Sequence, residues 1–191
     1  MSSKANGMSS LSENILLFIC GFGTLQGVLL AILIYFHPRS DKSVNKFLAL
    51  YIFCISCVMT MPITMDAIGW RNSYFLQPVP LLPGIFLYFY ILSFKEPITW
   101  QKAWPHFAVV LVFFFLAYLN LSAIAKIYPE AKHIPAEGLR RPQTIGNILL
   151  RAAQQFTYYF LSRKALSTYQ HSIRQLFSDT SRIDLQWCRI L

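Results

Sequence analysis

The chain has 191 residues, with 17 Lys and Arg against 8 Asp and Glu, and 55% of its residues are hydrophobic. The charges are segregated, so that residues 14–38, 47–65, 72–94 and 103–125 form charge-free runs of 25, 19, 23 and 23 residues. A bilayer core of about 30 Å needs about 20 apolar residues at about 1.5 Å rise each; the runs exclude soluble, disordered, disulfide-scaffold and soluble nucleic-acid-binding classes and predict an all-α polytopic transmembrane helix bundle.

A polar N-terminal tail, residues 1–14, precedes a first helix at about 15–36, with Ser12, Glu13 and Asn14 as its cap. This run exceeds the apolar core of a signal peptide, about 7 to 15 residues, and is read as a span that stays. His37, Pro38 and Arg39 stop it. A second helix covers about 44–63, and Pro62 loosens its far end. After a polar, aromatic connection with Asp66, Trp70, Arg71 and Tyr74, a third helix lies within 77–94. Pro78, Pro80 and Pro83 confine its firm part to 84–94 and predict a partly extended lead-in packed against other helices. The fourth helix, about 107–125, follows a connection with Lys95, Trp100, Lys102 and Trp104, whose aromatic residues suit the headgroup belt.

Residues 126–143 contain three prolines and both charge signs, and read as a loop outside the hydrocarbon. Residues 144–162 then form an amphipathic fifth helix in addition to the four spans. At about 100° per residue, Thr144, Asn147, Arg151, Gln154, Gln155, Tyr158 and Ser162 share one sector, while Ile145, Leu149, Ala152, Phe156 and Phe160 face away. Such a helix either lines a bundle interior or lies at the interface. Residues 163–191 are polar and basic, and read as a cytoplasmic segment leading toward a sixth helix. Lys and Arg favour cytoplasmic connections, and placing the N-terminus outside puts ten of them inside against six outside.

A charge within a span is costly, so Arg151 must face protein, water or an anion. It is either a structural arginine paired to a helix carbonyl or to the Gln154 and Gln155 amides, or part of a ligand-binding set, Asn147, Arg151, Gln154 and Tyr158, for a small polar or anionic signal molecule. Gly23 and Gly27, continued by Ala31, form a small-residue stripe for helix packing within the chain, with a homodimer face as the alternative use; Gln26 beside it is placed to bond across such a contact. Cys54 and Cys57 form a C-x-x-C inside a span with no second pair near it, and read as packing residues rather than metal ligands. His37, His106, His133 and His171 fall in connections or the tail and read as solvated. No hydrolase, P-loop or zinc-protease pattern is present, so an enzyme is not expected, and no motif requires a cofactor.

Several segments resemble the membrane-embedded members of the AraC-type transcriptional regulators of Bacteroidetes-like bacteria. The resemblance rests on Ser43-Val44-Asn45-Lys46-Phe47-Leu48-Ala49-Leu50, on Leu82-Pro83-Gly84-Ile85-Phe86-Leu87-Tyr88-Phe89-Tyr90 followed by Trp104-Pro105-His106, and on Ser178-Asp179-Thr180-Ser181-Arg182-Ile183-Asp184-Leu185-Gln186-Trp187. It implies about seven helices followed by a cytoplasmic helix-turn-helix domain. The sixth and seventh helices and that domain do not follow within 191 residues. The expectation is therefore a membrane sensory and anchoring module from a truncated or partial regulator in a bacterial inner membrane. Its partners would be the lipid bilayer, a small signal molecule and a second copy, with no nucleic acid bound by this segment itself. A self-contained small transporter or ligand-binding membrane protein is the alternative.

Overall fold

A computed structural model describes residues 2–37, 42–131 and 134–176. Among these residues six α-helices are formed: α1 (Ser2–Tyr35), α2 (Lys42–Ile68), α3 (Leu82–Ser93), α4 (Trp100–Ile127), α5 (Ala136–Leu139) and α6 (Pro142–Leu176). Two 3₁₀ segments, Trp70–Leu76 and Val79–Leu81, lead into α3, and the described residues contain no strand. The fold is an all-α bundle. Among the described residues four stretches are long and apolar enough to cross a membrane: Ile15–Tyr35, Lys42–Met65, Trp70–Ser93 and Trp100–Ile127. Large apolar side chains lie open on their outer faces, with Phe18 74% and Leu33 68% exposed. Lipid rather than water is the solvent that fits such surfaces, and the chain is a multi-pass membrane protein.

The short α3 is the centre of the bundle. Ile85, Phe86, Phe89, Tyr90 and Ile91 are buried, and they meet Cys54 of α2, Ala103 of α4, and Tyr158 and Leu166 of α6 in two adjoining clusters. α1 packs along α2 at the edge. Near the other end of α4, Trp70, Leu121 and Ile124 form a separate cluster beneath the segment from Tyr128 to Ala131. Trp70 Nε1 donates to the Ala131 carbonyl at 3.0 Å, and Arg71 donates to the Tyr128 and Pro129 carbonyls. Gly69, with φ +77°, makes the turn out of α2 in a left-handed conformation that disfavours other residues.

α1, α2, α4 and α6 are longer than the expected helices, whereas α3 is confined to Leu82–Ser93 within the expected 77–94. α1 runs through Ser12, Glu13 and Asn14, which are interior helical residues and not its cap; the polar tail contains no proline to stop it. α2 passes Pro62 and ends only at Ile68. Inside a membrane a freed backbone group finds no water, so the helix persists through the missing N–H. Trp100, Lys102 and Trp104 belong to the first turns of α4, not to a connection, with Pro105 accommodated close to the helix start. The lead-in to α3 is 3₁₀-helical rather than extended. The fixed proline φ suits that helix, and i+3 bonds such as Leu81 N to Pro78 O at 3.0 Å thread between the prolines. The loop at 126–143 contains the end of α4, α5 and the first two residues of α6. α6 continues past Ser162 to Leu176, so Arg163 and Lys164 are helical. Pro38, Arg39, Lys132, His133, the 178–187 motif and Cys188 lie outside the described residues.

Candidate functional site

The polar sector of α6 meets the proline-bearing lead-in of α3. Gln77 and Pro80 each stand three residues before a proline, which has no N–H to close an i+3 bond onto their carbonyls. The Leu81 N–H, the i+4 partner for Gln77, is engaged by Pro78 instead. Side chains of α6 fill these places. Arg151 Nη2 donates to the Gln77 carbonyl at 3.1 Å and to Gln77 Oε1 at 3.0 Å. Gln154 Nε2 donates to the Leu81 carbonyl at 3.1 Å, and Gln155 Nε2 donates to the Pro80 carbonyl. The Arg151 guanidinium also lies 5.2 Å from the Phe113 ring centroid, where its charge meets the negative ring face. Gly84 permits this approach: a Cβ there would lie 2.9 Å from Gln155 Oε1 and 3.2 Å from Tyr158 Cβ.

Arg151 is thus a positioned arginine paired to a carbonyl, that of Gln77 at the end of a 3₁₀ helix, rather than to the Gln154 and Gln155 amides. The seam is incompletely satisfied. Arg151 Nε and Gln154 Oε1, a donor and an acceptor three residues apart on one helix, are both buried without a partner.

The four expected ligand residues do not converge on one site. Asn147 and Arg151 line a cavity of about 150 Å³ with Gln77, Phe113, Asn120 and Thr144. That is below the roughly 300 Å³ at which pockets for drug-sized ligands begin, and suits a few waters or a small polar solute. Its polar wall is organised: Asn120 Nδ2 donates to Thr144 Oγ1 at 3.1 Å, and Thr144 Oγ1 donates to the Gly138 carbonyl at 2.9 Å. Gln154 is committed to the Leu81 carbonyl. Tyr158 borders a different cavity of about 450 Å³, which is mainly apolar and bounded by Tyr51, Gly84, Leu87, Gln155 and Phe156.

Tyr158 has a partner that sequence reasoning placed elsewhere. His106 is half-buried, with its Nδ1 2.6 Å from the Tyr158 hydroxyl and its ring 5.2 Å from that of Phe89 and 5.5 Å from that of Tyr88. It is therefore not a solvated connection histidine; the early start of α4 carries it into the bundle. His106 and Asn120 are the residues missed. Asn120 had a signal, as the one amide in the charge-free run 103–125, whereas His106 was hidden by the misplaced helix start.

The small-residue stripe of α1 is occupied within the chain. A Cβ on Gly27 would sit 2.0 Å from Ser56 Oγ of α2, and Ala31 is 5% exposed, whereas Gly23 has Met59 Cε at 3.8 Å and is less crowded. Thr24 rather than the exposed Gln26 makes the cross-helix bond, its hydroxyl lying 2.9 Å from that of Thr60. Cys54 is buried in the core, and Cys57 is half-buried on the same helix. No protein-family model matches this chain, and no curated protein or solved structure matches it.

Proposed function

We propose that this chain is the membrane sensory and anchoring module of a transmembrane transcriptional regulator of the AraC type, held N-out in a bacterial inner membrane. One observation carries the reading: α6 is a single helix of 35 residues, about 50 Å long at about 1.5 Å per residue, joining the polar seam at Arg151 to the basic stretch at Arg163 and Lys164. A small polar signal in the cavity beside Arg151 would compete for the same groups that hold α6 to α3. The unsatisfied Arg151 Nε and Gln154 Oε1 supply a second way for that seam to pair. Movement at the seam would then reach the far end of α6 as a rigid-body shift.

In this reading α6 is a fifth span. Its outward residues Ile145, Ile148, Leu149, Phe156 and Phe160 are 46 to 65% exposed and form an apolar surface suited to lipid, while its charge and amides face α3. The transporter alternative needs Arg151 as a substrate-binding charge, and its guanidinium is already engaged by Gln77 and Phe113.

The test is a fusion of the full chain to a dimerisation-dependent DNA-binding reporter domain in the inner membrane of a bacterial host. Arg151→Leu at unchanged membrane abundance should shift reporter output several-fold. Output identical to that of the parent fusion would reject transmission through this seam.

A further inference from the structure

At the opposite end of α3 from the proline lead-in, α3 and α6 enclose a second kind of pocket. It has a volume of about 260 Å³ and is lined by Tyr88, Leu92 and Leu161 together with Lys95, Lys164 and Thr168. The two ammonium groups come from different elements. Lys95 follows the last turn of α3, and Lys164 lies on the face of α6 that meets it. The sole salt bridge among the described residues joins Lys102 to Glu96 at 2.6 Å, so the carboxylate that follows Lys95 in sequence bonds a third lysine, although it still feels the charge of Lys95. Lys95 and Lys164 are both exposed, and among the described residues neither forms a salt bridge. Two like charges on one apolar hollow leave a place for an anion.

With α6 as a fifth span, the hollow lies at a membrane boundary. The outward apolar residues of α6 end with Tyr159 and Phe160, and Lys164 follows within about one turn. The apolar window of Trp70–Ser93 likewise ends just before Lys95. A ligand held here would have its charge at headgroup level and apolar protein surface beneath it. That is the chemistry of a phosphate-bearing amphiphile, and lysines at a membrane surface attract anionic lipids.

We propose that Lys95 and Lys164 form a binding site for the headgroup phosphate of an anionic phospholipid, whose glycerol and upper acyl carbons rest on Tyr88, Leu92 and Leu161. The site does not need the regulator reading, but it rests on α6 crossing the bilayer as a fifth span, which cysteine labelling at the Ala136 and Ser172 positions tests separately. It ties α3 to α6 through the lipid at the end of the bundle remote from the Arg151 seam.

The full chain in nanodiscs of phosphatidylcholine with and without phosphatidylglycerol provides the experiment, with retained lipid counted by native mass spectrometry. The parent chain is expected to retain phosphatidylglycerol in preference to phosphatidylcholine. The K95Q/K164Q double variant should lose about tenfold in apparent affinity, K95R/K164R should retain it, and K126Q, altering an exposed lysine elsewhere, should match the parent. Retention by K95Q/K164Q equal to the parent would overturn the site. Displacement of phosphatidylglycerol by millimolar inorganic phosphate alone would assign the pocket to a free anion and overturn the lipid reading. All the altered lysines are exposed, and an unchanged helical circular dichroism signal and a monodisperse gel-filtration peak would show that the variants fold.

Discussion

Arg151 of α6 donates to both the main-chain carbonyl and the side-chain oxygen of Gln77, 74 residues earlier, at 3.1 and 3.0 Å. The pair joins the most polar helix of the bundle to the segment whose backbone the prolines leave short of donors. In a protein surrounded by lipid this is a demanding place, because an unpaired carbonyl cannot turn to water.

Arg151→Leu removes a charged donor and strips the Gln77 carbonyl of its partner. A hydrogen bond to a charged group contributes about 2 kcal/mol, so thermal unfolding in detergent should show a loss of that order. Arg151→Lys keeps the charge without the planar fork and should fall between the two. Unchanged stability in Arg151→Leu would mean that the Gln77 contact contributes nothing.

Gly27→Ala places a methyl against Ser56, whose hydroxyl is itself held to the Ile52 carbonyl at 2.9 Å. Overpacking of this kind costs about 1 to 3 kcal/mol. Gly23→Ala, with Met59 Cε at 3.8 Å from the new atom, should be close to neutral. Ser56→Ala in the Gly27→Ala background should recover part of the loss, and a double-mutant cycle showing no coupling would refute the close approach.

Tyr158→Phe deletes the hydroxyl that lies 2.6 Å from His106 Nδ1 while keeping the ring that packs on Tyr88. The expected cost is about 1 kcal/mol in the same unfolding assay. The His106 ring resonances should also shift in a spectrum of the selectively labelled chain; an unperturbed histidine signal would argue that the two side chains do not meet.

Glu96 lies in the turn between α3 and α4. The hydrogen bond from Lys102, then the charge of Lys102 and a weaker effect of Lys95, hold its carboxyl below the ordinary glutamate range. The bridge therefore contributes at pH above the ordinary glutamate value and is lost as pH falls through the lowered one. Carboxyl carbon NMR should report a depressed titration midpoint that returns upward in Lys102→Gln. A midpoint unmoved by that substitution would show that the pair does not persist in solution.

Whether α6 spans can be read from cysteines introduced at Ala136 and Ser172 in a background without the native thiols. Labelling from opposite sides of the membrane is the expected outcome, and labelling of both from one side would place α6 along the surface.

Sequence alone determined the number of apolar spans, because a hydrocarbon layer of fixed thickness demands runs of a certain length and tolerates few charges within them. It also separated the two faces of α6, since a helix repeats every 3.6 residues: the sector of Asn147, Arg151, Gln154 and Tyr158 faces the bundle, and Leu149, Phe156 and Phe160 are exposed. What periodicity on one helix does not contain is the identity of the surface it meets. In lipid, apolar area does little to choose between rotations of neighbouring helices, and the choice falls to small residues and polar pairs distant in sequence. Only the tertiary structure therefore decided that Gly27 meets Ser56, that His106 enters the bundle to meet Tyr158, and that the Gln77, Leu81 and Pro80 carbonyls of the α3 lead-in meet Arg151, Gln154 and Gln155. The same nonlocality divided the expected ligand set: residues one turn apart on α6 reach different neighbours, Arg151 meeting Gln77, Gln154 meeting Leu81 and Tyr158 meeting His106.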